Sequence, residues 1–284
     1  MTITMLEAAS WAFVNLAVQT VLRSLFLACL TGCAVYLFRS RTAALRFELW
    51  KWTLFALLAL PLLIAVTPPL SKPPGFLSRV ELRLLPVAST PIRHASPSQA
   101  LPAPLPHRPR LFPAVLCIPA LYLLVTLALL VRLVYNTARL RAIVQQSSRI
   151  FDPRLRELVT EIWLESGAFA KPQVAVSTGI SAPVTFNAGD AWILLPSSYN
   201  LWDQPKFRAV LTHEMSHVQR DDAGTLLFAA LTTCLFWFHP LSWFLRRQLA
   251  VLAEEACDEV VLARGVSPDR YSTLLIDFAR DVQR

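Results

Sequence analysis

One short run concentrates the groups that can do chemistry: Leu211-Thr-His-Glu-Met-Ser-His-Val-Gln-Arg-Asp-Asp222. Within it, His213 and His217 are separated by one helical turn. On a helix, side chains at that spacing lie about 40° apart on one face, so both imidazoles can reach one Zn²⁺ ion. Glu214, about 100° further round, flanks that ion. There its carboxylate can take a proton from water activated at the metal. The pattern predicts hydrolysis at a zinc centre, with Glu214 as the base. Residue frequencies alone would produce such a match on the order of once in a hundred chains of this length. The surroundings favour a real helix, expected over Lys206–Arg220. Asp203 can cap it, Pro205 suits its first turn, and Ala209-Val-Leu211 is apolar enough to bury it.

A zinc centre that keeps one position open needs a third protein ligand. Downstream, Leu252-Ala-Glu-Glu-Ala-Cys-Asp-Glu-Val-Val261 falls on a helix expected over Leu241–Arg264, with Gly265 as its stop. Glu254 and Asp258 share a face of that helix. One can bind the metal while the other accepts a hydrogen bond from a ligand imidazole, fixing its tautomer. Glu255 and Glu259 repeat the spacing on another face. With no cation nearby in sequence, they are expected to face water. Cys29, Cys33, Cys117, Cys234 and Cys257 all lie in apolar or helix-like stretches and include no Cys-x-x-Cys pair. They are read as small buried residues, not as disulfides or zinc ligands. His239, just before Pro240, is read as a turn or capping residue.

The elements that hold these groups belong to a membrane protein. Hydrophobic residues make up 55% of the 284 and charged residues 16%, against roughly 45–50% and roughly 25% in soluble chains. Three apolar runs can cross a bilayer: about 11–38, 52–71 and 111–131. Arg23, inside the first, should face other helices or snorkel to the headgroups. No Lys or Arg precedes that run and Glu7 does, which fits a signal peptide poorly. A Pro-rich stretch, 72–110, reads as an extended external linker. Arg39, Arg41, Arg46 and Lys51 crowd the short loop between the first two runs and place it in the cytoplasm. The N-terminus is then outside, and everything after Val131 begins in the cytoplasm. The net charge of +8 comes largely from Lys and Arg at the ends of the apolar runs, so direct nucleic-acid binding is not expected. From Thr137 the pattern becomes α+β. Helices are expected over Ala138–Gln145 and Asp152–Ser166, followed by strand-like runs at Gln173–Ser177, Pro183–Phe186 and Trp192–Leu195. The last of these is expected to offer a free edge to an extended substrate.

These features together resemble the BlaR/MecR-type antirepressor membrane zinc metallopeptidases. The resemblance rests on His213-Glu214-x-x-His217, Asp222, Phe238-His239-Pro240-Leu241, Glu254-Glu255-Ala256-Cys257-Asp258, Trp192-Ile-Leu-Leu-Pro196 and the three preceding spans. It covers essentially the whole chain and is most specific over residues 183–264. It implies a multi-pass α-helical membrane protein with a cytoplasmic α+β, gluzincin-like zinc metallopeptidase domain. His213, His217 and Glu254 would hold Zn²⁺, Glu214 would be the base, and Asp258 would accept a hydrogen bond from a ligand imidazole. The implied substrate is a cytoplasmic protein such as a DNA-binding repressor, which makes the chain a signal transducer in the cell membrane. Well-known members carry an external penicillin-binding sensor after a fourth span. The sequence ends at Arg284 without one, so it is read as a fragment or a shorter relative, and the β-lactam ligand is not carried over.

Residues 1–136 are therefore expected to form the membrane region and 137–284 the peptidase domain. The apolar stretch from Gly224 to Phe238 would span about 22 Å as helix, short of a core of about 30 Å. A full crossing would also put His213 and Glu254 on opposite sides of the membrane. Residues 223–250 are thus expected to form a helical hairpin that dips into the bilayer and returns. Tyr271 and Arg270 are the candidates for stabilising an oxyanion. Two rival readings remain: a housekeeping membrane zinc protease of the prenyl-protein or stress type, and a non-catalytic signalling scaffold with a vestigial zinc site. A homodimer is left open.

Overall fold

Three long helices lead the chain: α1 (Thr2–Leu37), α2 (Ala43–Val66) and α3 (Phe112–Gln146). The structure is a computed structural model that describes residues 2–37, 42–66, 112–149, 152–169, 171–187 and 189–282. The Pro-rich segment 72–110 lies outside the described residues. All three helices are long and apolar enough to cross a membrane, over Ala9–Leu37, Ala43–Ile64 and Cys117–Gln146. Large apolar side chains such as Phe26, Leu62 and Leu124 stay exposed on them, which suits lipid rather than water. Arg23 is exposed as well, so of its two expected settings a position between helices is not the one seen.

Helix bounds depart from the uncharged runs. α2 begins upstream of Trp52 and takes in Arg46, Glu48 and Lys51. α3 passes without a break through Arg132, Arg139 and Arg141, absorbing the separate helix expected from Ala138. The reason is that charge ends a membrane span but not a helix, and Arg, Lys and Glu are good helix formers.

After α3 comes a small sheet with strand order β1-β2-β4-β3. β1 (Ser148–Arg149) and β2 (Gln173–Ser177) are antiparallel, β2 and β4 (Ala191–Pro196) are parallel, and β3 (Val184–Asn187) is antiparallel to β4. Strand alternation sends Ile193 and Leu195 toward α4 (Pro153–Ser166) and α5 (Gln204–Arg220), where they meet Ile162, Leu211 and Met215. Ala175, Phe186 and Leu194 point the other way, onto Val144 of α3. The strand expected to be free, Trp192–Leu195, is paired on both sides. The edge strand beside α5 is β3 instead, because β4 carries the most continuous apolar run and is the one buried between two neighbours.

α6 (Asp222–Leu235) and α7 (Pro240–Ala263) form an antiparallel hairpin. Its turn is built around His239. Nδ1 accepts from the Leu241 N–H at 3.1 Å and caps α7, which leaves the Nε2 proton for Ser24 Oγ of α1 at 2.6 Å. Tyr122 of α3 donates to the Leu235 carbonyl at 3.1 Å. Leu245, Leu249 and Ala253 of α7 pack on Phe47, Leu54 and Leu57 of α2. A last helix, α8 (Pro268–Val282), covers Val210 and Val261 with Tyr271 and Leu274.

Candidate metal centre

α5 carries both histidines, and its ends are specified locally. Asp203 accepts the Lys206 N–H at 2.9 Å, and Pro205 sits in the first turn. Asp221 closes the helix in the left-handed conformation, φ 50°, a geometry short polar residues tolerate best after glycine. The chain then turns directly into α6. A Cβ on Gly224 would run into the Asp221 carboxylate, which would have to shift from its bond with Asn187.

The helical period brings His213 and His217 together with their Nε2 atoms 3.3 Å apart. Glu254, from α7, faces both: Oε2 lies 3.4 Å from His213 Nε2, and Oε1 lies 3.6 Å from His217 Nε2. Ligand atoms at about 2.0–2.1 Å from a tetrahedral zinc would be roughly 3.3 Å from one another. The spacings of the three side chains are close to those of zinc ligands. Behind the histidines, each Nδ1 meets a carboxylate. His217 Nδ1 is 2.8 Å from Asp222 Oδ2. His213 Nδ1 is 3.2 Å from Asp258 Oδ1 and 3.0 Å from Tyr271 Oη, while Tyr271 donates to Asp258 at 2.6 Å. With its one proton given to Asp258, Tyr271 can only accept from His213. In their neutral form both imidazoles thus keep their proton on Nδ1 and leave Nε2, on the Glu254 side, to bind a metal.

Charge follows from the same contacts. Burial disfavours a proton on His213, but the Asp258 and Glu254 carboxylates, with Glu214 nearby, outweigh it and raise the imidazole to about 9 in the metal-free protein. The hydrogen bond from His213, aided by the charges of both histidines, holds the largely exposed Glu254 below the usual carboxylate range although its partial desolvation opposes this. Burial alone would push Asp258 up; its bonds from His213 and Tyr271 pull it down. Tyr271 is pushed well above its ordinary value by burial and by Asp258, so it stays protonated.

Cys257 is the rival third ligand. One ligand atom each of His213, His217 and Cys257 fall within 4.8 Å of one another. Its sulfur, however, takes a hydrogen bond from Arg220 Nη2 at 3.1 Å, and Arg220 also binds Asp222. That places the thiol with the groups backing the histidines. Burial pushes the thiol strongly up in the metal-free protein. Glu254, which faces both Nε2 atoms, is the better placed donor.

Glu214 is buried, and its Oε2 accepts from Thr185 Oγ1 of β3 at 2.7 Å. With His213, Glu254 and Asp258 it lines a cleft of about 230 Å³, walled by Pro183 at the start of β3 and by Leu274 and Leu275 of α8. Of the two candidates for stabilising an oxyanion, Tyr271 lines this same cleft and Arg270 does not. Tyr271 is engaged with Asp258, and Arg270 pairs with Asp203 at 2.9 Å, at the far end of α5. Thr185 and Asp222 are the site residues whose contacts had no counterpart in the sequence reading. For Asp222 a signal existed, since an acid five residues after a ligand histidine can fold back across the helix end.

Residues 18–282 match the model of a family described as BlaR1 peptidase M56. The regulatory protein BlaR1 of Bacillus licheniformis is 32% identical to this chain over 83 residues, which are 29% of this chain and 14% of that protein. The chain thus aligns with only a small part of that relative.

Proposed function

The chain belongs to the BlaR1 peptidase M56 family, and on that premise we propose that it is a membrane-embedded zinc endopeptidase that cuts a cytoplasmic protein. The observation that carries this reading is the set of three converging side chains, His213, His217 and Glu254, with Glu214 beside them in the same cleft. Zinc, when bound there, would supply Lewis-acid chemistry, polarising the scissile carbonyl and acidifying water. The protein's own groups do the rest. Asp258 and Asp222 orient the imidazoles, and Glu214 takes a proton from water and delivers it to the leaving amine. Edge strand β3 offers its open side to an extended substrate. The domain is read as gluzincin-like, with Glu254 as the carboxylate ligand.

The orientation is supported by an end-to-end relation in the bundle. The first turn of α2 touches the site region: Ala43 N–H bonds to Glu259 of α7, and the Arg220 guanidinium lies 5.9 Å from the Phe47 ring centroid. The site is therefore at the end of the bundle where α2 begins, the end that carries Arg46. By charge bias that end is cytoplasmic. The α6–α7 hairpin extends from there between the spans and returns, a membrane-dipping element whose α6 arm, at about 21 Å, is too short to cross. A transcriptional repressor is the substrate class that the family resemblance supplies, with signal transduction as the role.

The test is zinc analysis and proteolysis on the purified full chain. About one zinc per chain is expected, by the three-ligand rule for catalytic sites. Glu214→Ala should keep the metal and lose proteolysis. Full activity in Glu214→Ala would refute the reading.

A further inference from the structure

We propose that Thr185 is a positioning residue for the reaction, holding the Glu214 carboxylate in register with the metal centre from the edge strand. The inference rests on the peptidase reading above and adds to it the partner that aims its base.

Thr185 is on the α5-facing side of β3, opposite Ile193 of β4. Its neighbours on that side of the sheet, Ile193 and Leu195, are apolar and fully buried. A β-branched residue suits a strand whatever its chemistry, so the methyl and the backbone need no further account. The hydroxyl does. It lies 2.7 Å from Glu214 Oε2 and 3.3 Å from the Glu214 carbonyl oxygen. A hydroxyl has one proton to give. The carbonyl lies inside α5, where the helix already supplies a donor. The carboxylate is the closer acceptor and, ionised, the stronger one. The single hydrogen bond therefore goes to the charge.

The contact divides the two carboxylate oxygens. Oε2 is occupied by Thr185, and Oε1 makes no hydrogen bond among the described residues. As the water oxygen bonds to the carbonyl carbon, the proton it gives up lodges on Oε1. It leaves from the same atom to the amide nitrogen as the C–N bond breaks. Without the anchor, Glu214 keeps its place in the sequence but is free to swing about its side-chain bonds. Because β3 is also the strand an extended substrate would join, one element sets the base and the scissile bond together. Misplacement by about an ångström is costly in such geometry.

The experiment uses the full chain in lipid nanodiscs, loaded with zinc, as Thr185→Val, Thr185→Ser and Glu214→Gln. Val matches the shape of Thr without the donor, and Ser restores the donor. The first readout, which needs no turnover, is calorimetric binding of a peptide hydroxamate, whose acidic proton should be received by Glu214. The second is cleavage of fluorescently labelled casein. Thr185→Val should keep its zinc and bind hydroxamate more weakly. Where casein is cut, its kcat should fall by roughly 10–100-fold, as losses behind a metal site do, with KM unchanged. Thr185→Ser should recover most of both. Unchanged hydroxamate affinity in Thr185→Val, a rise in KM with kcat intact, or no recovery in Thr185→Ser would each overturn the proposal. Should Thr185→Val not fold, Thr185→Ala goes through the same measurements. Glu214→Gln separates the two levels. If it abolishes cleavage and weakens hydroxamate while Thr185→Val behaves as wild type, only the positioning role falls. If Glu214→Gln stays active, the peptidase reading falls.

Discussion

Glu259 of α7 closes both of its carboxylate oxygens on the backbone N–H of Ala43, at 3.1 and 3.0 Å. One turn back, Glu255 pairs with Arg46 at 3.0 Å. The pair expected to face water thus grips the first turn of α2, which has no acidic residue of its own there. α7 carries two acidic pairs, one toward the histidines and one toward α2, so one helix touches both.

That contact predicts a stability effect. Glu259 acts as a helix cap supplied from elsewhere in the chain, and loss of a cap costs about 0.5–2 kcal/mol. Glu259→Ala should lower the midpoint of thermal unfolding while leaving zinc stoichiometry at saturation intact. Glu255→Gln should be near neutral for both, because its partner pairing is half exposed and such pairs contribute about 0–1 kcal/mol. A larger loss with Glu255→Gln than with Glu259→Ala would show that the ion pair, not the cap, is what docks α2.

The third ligand predicts a split between neighbours on α7. Glu254→Gln should weaken zinc binding severely, because it replaces the carboxylate that faces both Nε2 atoms. Cys257→Ala should retain zinc. Competition titration with a chromogenic chelator ranks them, and the reverse order would make Cys257 the ligand.

Groups behind the histidines predict a smaller, graded effect. Asp258→Ala and Asp222→Asn should each weaken zinc by roughly 10–100-fold. Asp222 is almost fully buried and also pairs with Arg220, so Asp222→Asn should in addition lower thermal stability by leaving that guanidinium without its charge partner. Equal stability in the two variants would contradict this.

Zinc affinity should depend on pH with a definite sign. His213 is raised to about 9 in the metal-free protein, so at neutral pH it carries a proton that the metal must displace. Apparent affinity should therefore climb with pH by about one log unit per unit, up to the raised value, and then level off. An affinity flat between pH 7 and about 9 would mean that His213 is already neutral there.

The parts of this site that follow local rules were legible in the sequence. Two histidines one turn apart must share a helix face, Asp203 with Pro205 marks a helix start, and Gly265 marks a stop. The break between α6 and α7 followed from His239-Pro240. What escaped is what only tertiary packing decides. Ala43 and Glu259 are 216 residues apart, and nothing near either one signals the other. Thr185 reads as an ordinary strand residue until the sheet is laid on α5. The strand order was missed for the same reason: β4, not β3, has the apolar run that earns the central position, so the free edge belongs to its neighbour. The reach of α2 and α3 beyond the apolar runs was hidden because hydropathy marks the span and not the helix.

The zinc ligand set is tested most directly by the X-ray absorption spectrum of the metal-loaded full chain. The expected first shell holds nitrogen and oxygen only, at about 2.0–2.2 Å, with the outer scattering of two imidazoles. A sulfur scatterer at about 2.3 Å, placing Cys257 on the metal, or a shell with fewer than two imidazoles, would contradict it.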